Sequence, residues 1–168
     1  MTIKSLGDFT SSVGDIAPGT RAYLDGPHGV FTPDRHEGPG FVLVAGGVGI
    51  TPMASILRTM ADRGDRRPFL LVYAVRTLAE QTFGGEIASL ATRLDLTVVT
   101  VVENPDPGWS GEHGFIDRAL LQRHLPPRYQ RQQYFVCGPA PMVTAVEDAF
   151  AALDVPADHV HTERFNFV

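Results

Sequence analysis

The feature that most constrains this chain is an apolar run that breaks into three glycines and restarts as a helix: Val42-Leu43-Val44-Ala45-Gly46-Gly47-Val48-Gly49-Ile50-Thr51-Pro52. An unbroken apolar run bounded by Gly38-Pro39-Gly40 and by the later glycines reads as a strand buried on both faces, the kind found in parallel sheets. The glycines let the backbone turn sharply, and with no Cβ they let a ligand touch the main chain. Pro52 suits the first turn of a helix, and Met53, Ile56, Leu57 and Met60 then recur on one helical face. Free N–H groups and the positive end of a helix dipole meet at such a turn, which makes it a receptor for phosphate. The spacing departs from G-x-G-x-x-G, and glycine turns also serve simply to let helix and sheet pack closely. Both readings stand on the turn alone.

A chain of 168 residues, 43% hydrophobic, has enough apolar mass for one well-buried domain and a fragment of another. Its net charge of -5 argues against a nucleic-acid partner, and Arg63, Arg66 and Arg67, its densest basic cluster, are interleaved with Asp62 and Asp65 as in a solvated loop. The lone Cys137 allows no internal disulfide and no iron-sulfur cluster, which fits a reducing compartment. No stretch approaches the ~20 apolar residues of a membrane helix. Membrane segments in a longer parent stay open.

Residues 1–40 are punctuated by glycine and proline and leave room only for short strands such as 21–24, as in the tail of a β-rich neighbouring domain followed by a linker. From residue 41 strands and helices alternate. Strands are expected at 69–74, 96–102, 134–137 and 159–163, a helix with Phe83, Ile87, Leu90 and Leu94 on one face, a short helix over 117–124, and a last helix with Met142, Val146, Ala149 and Leu153 inward. The loop 103–114 is long enough to be functional or flexible. This pattern predicts an α/β fold with a doubly wound, parallel, five-stranded sheet, whose ligands bind along the carboxyl ends of the strands. Residues 46–52, 73–76, 103–109 and 137–142 share that edge.

Together, Gly46 to Pro52, Tyr73-Ala74-Val75-Arg76, Cys137-Gly138-Pro139-Ala140-Pro141-Met142 and the ending His161-Thr162-Glu163-Arg164-Phe165 resemble the ferredoxin-NADP reductase superfamily, with residues 41–168 as its Rossmann-like NAD(P)-binding domain. The ending and the leader Lys4-Ser5-Leu6-Gly7-Asp8-Phe9-Thr10-Ser11 most resemble the ferric-reductase and NADPH-oxidase-like branch. Residues 1–40 resemble the close of that family's FAD-binding barrel. There Gly7 to Thr10 match the segment near the flavin pyrophosphate, and Asp25 to Phe31 match a G-P-Y-G-x-F turn with His28 in place of tyrosine. The family's upstream Arg-x-Tyr-Ser-type flavin motif is missing, so a fragment of a longer flavoprotein is expected.

The resemblance implies that the amides of residues 47–51 hold a dinucleotide pyrophosphate and that the Thr51 hydroxyl faces the nicotinamide, or else caps the helix. Arg76 would meet the adenosine ribose, where an arginine suits the 2′-phosphate of NADPH and a carboxylate the 2′-hydroxyl of NADH. Glu80, close in sequence, blurs that lean towards NADPH. Cys137 would lie beside the nicotinamide C4 without acting as a nucleophile. Gly138 would bind the cofactor, and Pro139 and Met142 would line the adenine side, with helix packing as the alternative for Met142. Phe165 resembles the aromatic that stacks on the flavin, although Asn166-Phe167-Val168 extend past it, and Glu163 resembles the acid near flavin N5. His159 and His161 lack a third ligand nearby, so no metal site is expected.

The reading is an NAD(P)H-binding domain of a flavin-dependent electron-transfer oxidoreductase, inactive without its flavin half. It would face the cytoplasm and serve an FAD-binding domain of the same polypeptide, with haem, ferric iron or a carrier as acceptor. The alternatives are a nucleotide-sensing or interaction domain of the same fold and a methyltransferase. The methyltransferase reading lacks an acid at the second strand end.

Overall fold

The computed structural model describes residues 3, 5, 7–26 and 29–165. The chain falls into two compact units, Met1–Val30 and Phe31–Val168.

The first unit holds one short helix, α1 (Asp8–Ser12), followed by the 3₁₀ turn Val13–Asp15. The strand expected at 21–24 is not formed, nor is any other strand among the described residues of 1–40. Tyr23 and Leu24 are 87% and 77% exposed. A strand exists only by pairing with a neighbour, and the described residues of this unit include no other strand to pair with, so the stretch takes irregular backbone instead. The G-P-x-G turn at Pro27-His28, and the residues beyond Phe165, lie outside the described residues.

In the second unit the strands are β1 (Phe41–Gly46), β2 (Pro68–Val75), β3 (Asp95–Val102), β4 (Glu112–His113), β5 (Gln133–Pro139) and β6 (Val160–Phe165). They form one parallel sheet in the order β4-β3-β2-β1-β5-β6. Five are those expected; the sixth, β4, is a two-residue addition beside Val101 and Val102.

The helices are α2 (Ile50–Asp62), α3 (Gly84–Ala91), α4 (Arg118–His124) and α5 (Ala140–Ala151). Phe41, Leu43 and Ala45 pack with α2 and α3, while Val42 and Val44 pack with α4 and α5. Every residue of β1 is buried, which is why its sequence shows no alternation. Asp117 caps α4 by accepting from the Leu120 amide at 2.8 Å.

Residues 31–40, expected in the linker, pack on this sheet. Phe31 meets Phe135 edge-on at 5.1 Å, His36 stacks on His161 at 3.6 Å, Asp34 pairs with Arg63 of the loop after α2, and Gln133 donates to the Glu37 carbonyl. Arg67 pairs with Asp65 at 2.5 Å and lies over the Phe41 ring, so the basic cluster is partly spent on the fold.

Candidate functional site

Because all strands run the same way, their carboxyl ends share one edge. From β1 the chain moves outward to β2, β3 and β4, then returns to the other side of β1 for β5 and β6. The crevice of a doubly wound sheet opens at that reversal, between β1 and β5. The 3₁₀ turn Gly47–Gly49 leads out of β1 into α2, and the Ile50 amide bonds back to the carbonyls of Gly47 and Val48. The turn therefore sits at the positive end of a 13-residue helix.

Its glycines do different jobs. Gly47 has φ +52°, and a Cβ there would meet nothing within 4 Å, so the outer side of the turn is open. At Gly49 a Cβ would overlap the Cys137 carbonyl and approach the Gly138 nitrogen to 3.0 Å, so this glycine seats the turn on the end of β5. Gly46 and Gly138 lie against each other and form a notch filled by Met142. A Cβ on Gly46 would collide with the Met142 sulfur, and one on Gly138 would come within 2.6 Å of its Cε.

Close packing, one of the two alternatives the sequence left, accounts for Gly46, Gly49 and Gly138, while Gly47 faces open space. Met142 packs its helix into the notch while half-exposed at the edge. Among the described residues no side chain lies within 4 Å of where a Gly47 Cβ would stand. The residues fit a diphosphate held by main-chain amides.

Of the other residues of this turn, Val48 and Pro52 are half-buried and Ile50 is wholly in the core. Thr51 is the second residue of α2; the N-cap is Gly49, so the capping role does not fall to Thr51.

Register brings the remaining candidates to the same edge. Ala45, Cys137 and Glu163 lie side by side across β1, β5 and β6, and Pro139 pairs with Phe165. Cys137 is fully buried, and its thiol is pushed up to about 12, first by burial and then by the charge of Glu163. It stays protonated, as a role without nucleophilic attack requires. Glu163 is exposed, Phe165 is half-buried against the core on the α2 side, and Arg164 pairs with Glu147 of α5.

Past β2, Arg76 is exposed and engaged. Its Nη2 lies 2.7 Å from Glu80 Oε1, and its Nε donates to the same oxygen at 2.9 Å. The loop after β3 begins beside it, the Glu103 amide bonding to the Val75 carbonyl at 2.9 Å and the Asn104 amide to the Arg76 carbonyl at 2.8 Å. The Glu80 carboxylate therefore holds this guanidinium, and the backbone of Glu103 runs alongside. The sequence reading placed Glu103 on this edge but gave it no role; its signal is an acid immediately after a buried strand. Farther along this loop, the Trp109 indole donates to the Glu112 carbonyl at 2.9 Å.

His161 lies away from this edge, beside Phe135 and His36, with Nε2 2.9 Å from Gln133 Oε1. His159 Nδ1 meets the Gln130 carbonyl. Among the described residues no three His, Cys, Asp or Glu are grouped to hold a metal, and no helix is long and apolar enough to cross a membrane. In the first unit the Gly7 amide donates to Thr10 Oγ1 at 3.0 Å.

A family model described as the oxidoreductase NAD-binding domain matches residues 43–148. The chain is 30% identical over 158 residues to NADH-cytochrome b5 reductase 1 of Aspergillus terreus, covering 88% of this chain and 52% of that protein. It is 30% identical to ferredoxin-NADP reductase B of Sorangium cellulosum, covering 90% and 64%. Among solved structures it is similar to the Amycolatopsis cytochrome P450 reductase, with a TM-score of 0.70, 30% identity, and 88% and 46% of the two chains covered. The chain spans about half the length of the curated relatives it matches.

Proposed function

The chain belongs to the oxidoreductase NAD-binding domain family, and from that membership and the geometry of its sheet edge we propose that it is the nucleotide-binding half of an FAD-dependent NAD(P)H reductase. The observation that carries this reading is the open turn at Gly47, seated by Gly49 on the peptide that follows Cys137. When bound, the nicotinamide supplies a hydride that FAD accepts, and electrons then leave singly to haem, ferric iron or a carrier.

The work of this chain is placement. The amides of residues 47–51, apart from that of Ile50, which is bonded within the turn, hold the diphosphate, and Thr51 faces the nicotinamide side. Gly138, Pro139 and Met142 form the wall towards the adenine. Cys137, neutral and buried, forms an apolar floor at the reacting end, with Glu163 and Phe165 beside it on the same face of the sheet. Residues 1–40 are read as the close of the FAD domain of the same polypeptide.

Relatives named for cytochrome b5 and for ferredoxin support an acceptor of the haem or carrier kind. The ferric-reductase branch rests on the leader and the ending, and with it a parent anchored in a membrane with this domain on the cytoplasmic side. Arg76 is the group for a 2′-phosphate. Its pairing with Glu80, and the nearness of the Glu103 backbone, support NADH at least as well as NADPH.

The test is a titration of the isotope-labelled chain with NADH, NADPH and S-adenosylmethionine. The amides of Gly46 to Thr51 are expected to shift with the dinucleotides alone. A shift only with S-adenosylmethionine, or none, sinks the proposal.

A further inference from the structure

We propose that Tyr73 is a positioning residue that sets which adenosine ribose the edge accepts, acting through the loop it anchors; this rests on the reading of Arg76 and Glu80 given above. Tyr73 is fully buried in β2, between Ala45 of β1 and Thr100 of β3. A hydroxyl taken out of water needs a partner. That partner is the backbone of Thr82, whose amide donates to Tyr73 Oη at 3.2 Å. Burial holds the Tyr73 pKa above its ordinary value, the bonds to Thr82 only partly offsetting it.

Thr82 closes the excursion between β2 and α3. The next residue, Phe83, holds left-handed backbone at φ 62° where α3 begins. Between Arg76 and Thr82 the chain makes the 3₁₀ turn Leu78–Glu80, with the Glu80 amide on the Thr77 carbonyl and the Gln81 amide on the Leu78 carbonyl. The side chains of Leu78 and Phe83 rest on the core. Among the described residues, the side-chain hydrogen bonds between residues 77–82 and the strands are that to the Tyr73 hydroxyl and a longer contact, Gln81 Nε2 to Thr100 Oγ1 at 3.4 Å.

This turn carries Glu80, and Glu80 holds the Arg76 guanidinium. A 2′-phosphate must compete with Glu80 for that group, whereas a 2′-hydroxyl need not. By fixing the turn, Tyr73 keeps Glu80 on Arg76 and so favours NADH over NADPH. Tyr73→Phe keeps the ring and its packing and removes only the oxygen.

The experiment is calorimetric titration of NADH and NADPH into the wild-type chain, Tyr73→Phe, Glu80→Gln and the double variant. Amide exchange at residues 80–82 serves as a second measurement. Glu80→Gln is expected to move the ratio of the two dissociation constants towards NADPH. Tyr73→Phe should move it the same way, by about two- to tenfold, the span of one intramolecular hydrogen bond, with faster exchange at 80–82. In the Glu80→Gln background Tyr73→Phe should add no further change in ratio.

If Tyr73→Phe weakens both nucleotides by one factor, or leaves exchange at Thr82 unchanged, or adds its full effect to the double variant, the hydroxyl is structural and the proposal fails. If Glu80→Gln itself leaves the ratio unmoved, the reading of Arg76 fails and takes this one with it.

Discussion

Gly47 and Gly49, two residues apart, should fail in opposite ways when given a methyl group. At Gly49 the backbone is ordinary right-handed helix, φ -59°, so alanine is conformationally free, but its Cβ would overlap the Cys137 carbonyl. The obstacle is main chain and cannot rotate away. Overpacking of this kind costs ~1–3 kcal/mol, of which ~0.4–1 kcal/mol is offset by the stiffer unfolded chain. At ~2–4 °C per kcal/mol for a chain of this size, Gly49→Ala should lower Tm by several degrees, up to about 10 °C.

At Gly47 the Cβ has space, and the cost is the left-handed φ of +52°, ~1–2 kcal/mol, partly cancelled by the same offset. Gly47→Ala should therefore lose no more than about 6 °C. On the proposed reading it should, however, lose most of the dinucleotide's stabilising effect, because its methyl would stand in the space assigned to the diphosphate. That effect is ~2.7 kcal/mol for the wild type at a hundredfold excess over Kd. The assay is thermal unfolding with and without NADH. If Gly49→Ala melts like the wild type, the seating of the turn is misread. If Gly47→Ala keeps the full ligand-induced rise, the diphosphate lies elsewhere.

Two further outcomes follow from buried titratable groups. Cys137, with its thiol pushed up to about 12 by burial, should resist alkylation in the native chain at pH 8 and react once denaturant unfolds it; rapid native labelling would mean that the thiol is open to solvent. His161 has its pKa held down by burial and by His36 and His159, against the opposing charge of Asp158. The folded chain thus takes up this proton at lower pH than the unfolded chain. Stability from the neutral ring is complete above the unfolded pKa of about 6.5 and is lost as pH falls through the folded one. Tm should accordingly drop more steeply below pH 6.5 in the wild type than in His161→Phe; parallel curves would remove His161 from the acid response.

The strands that matter were legible because burial on both faces leaves an unbroken apolar run, as in residues 41–46. The strand β4 was not, since Glu112 and His113 carry no apolar signal and pair only because Val101 and Val102 offer free edge groups. The meeting of the glycine turn with Cys137 and Gly138 could be inferred from parallel topology. What each glycine does could not, because it depends on which atoms face it: open space at Gly47, a carbonyl at Gly49, a thioether at Gly46. Arg76 was found by its place after β2, while its capture by Glu80 needed the intervening turn to curl back. The strand at 21–24 was misjudged because short-range composition does not say whether another strand lies alongside.

The kind of atom facing each glycine also decides how the turn could drift over generations. Around Gly46 every obstacle is a side chain, Met142 or Pro139, so a larger residue there could be rescued by a compensating change such as Met142→Ala. Around Gly49 the obstacle is peptide backbone, which no second-site replacement can trim. In a library randomised at both positions with 142 left free, position 46 should tolerate variety that covaries with 142, while position 49 returns glycine alone.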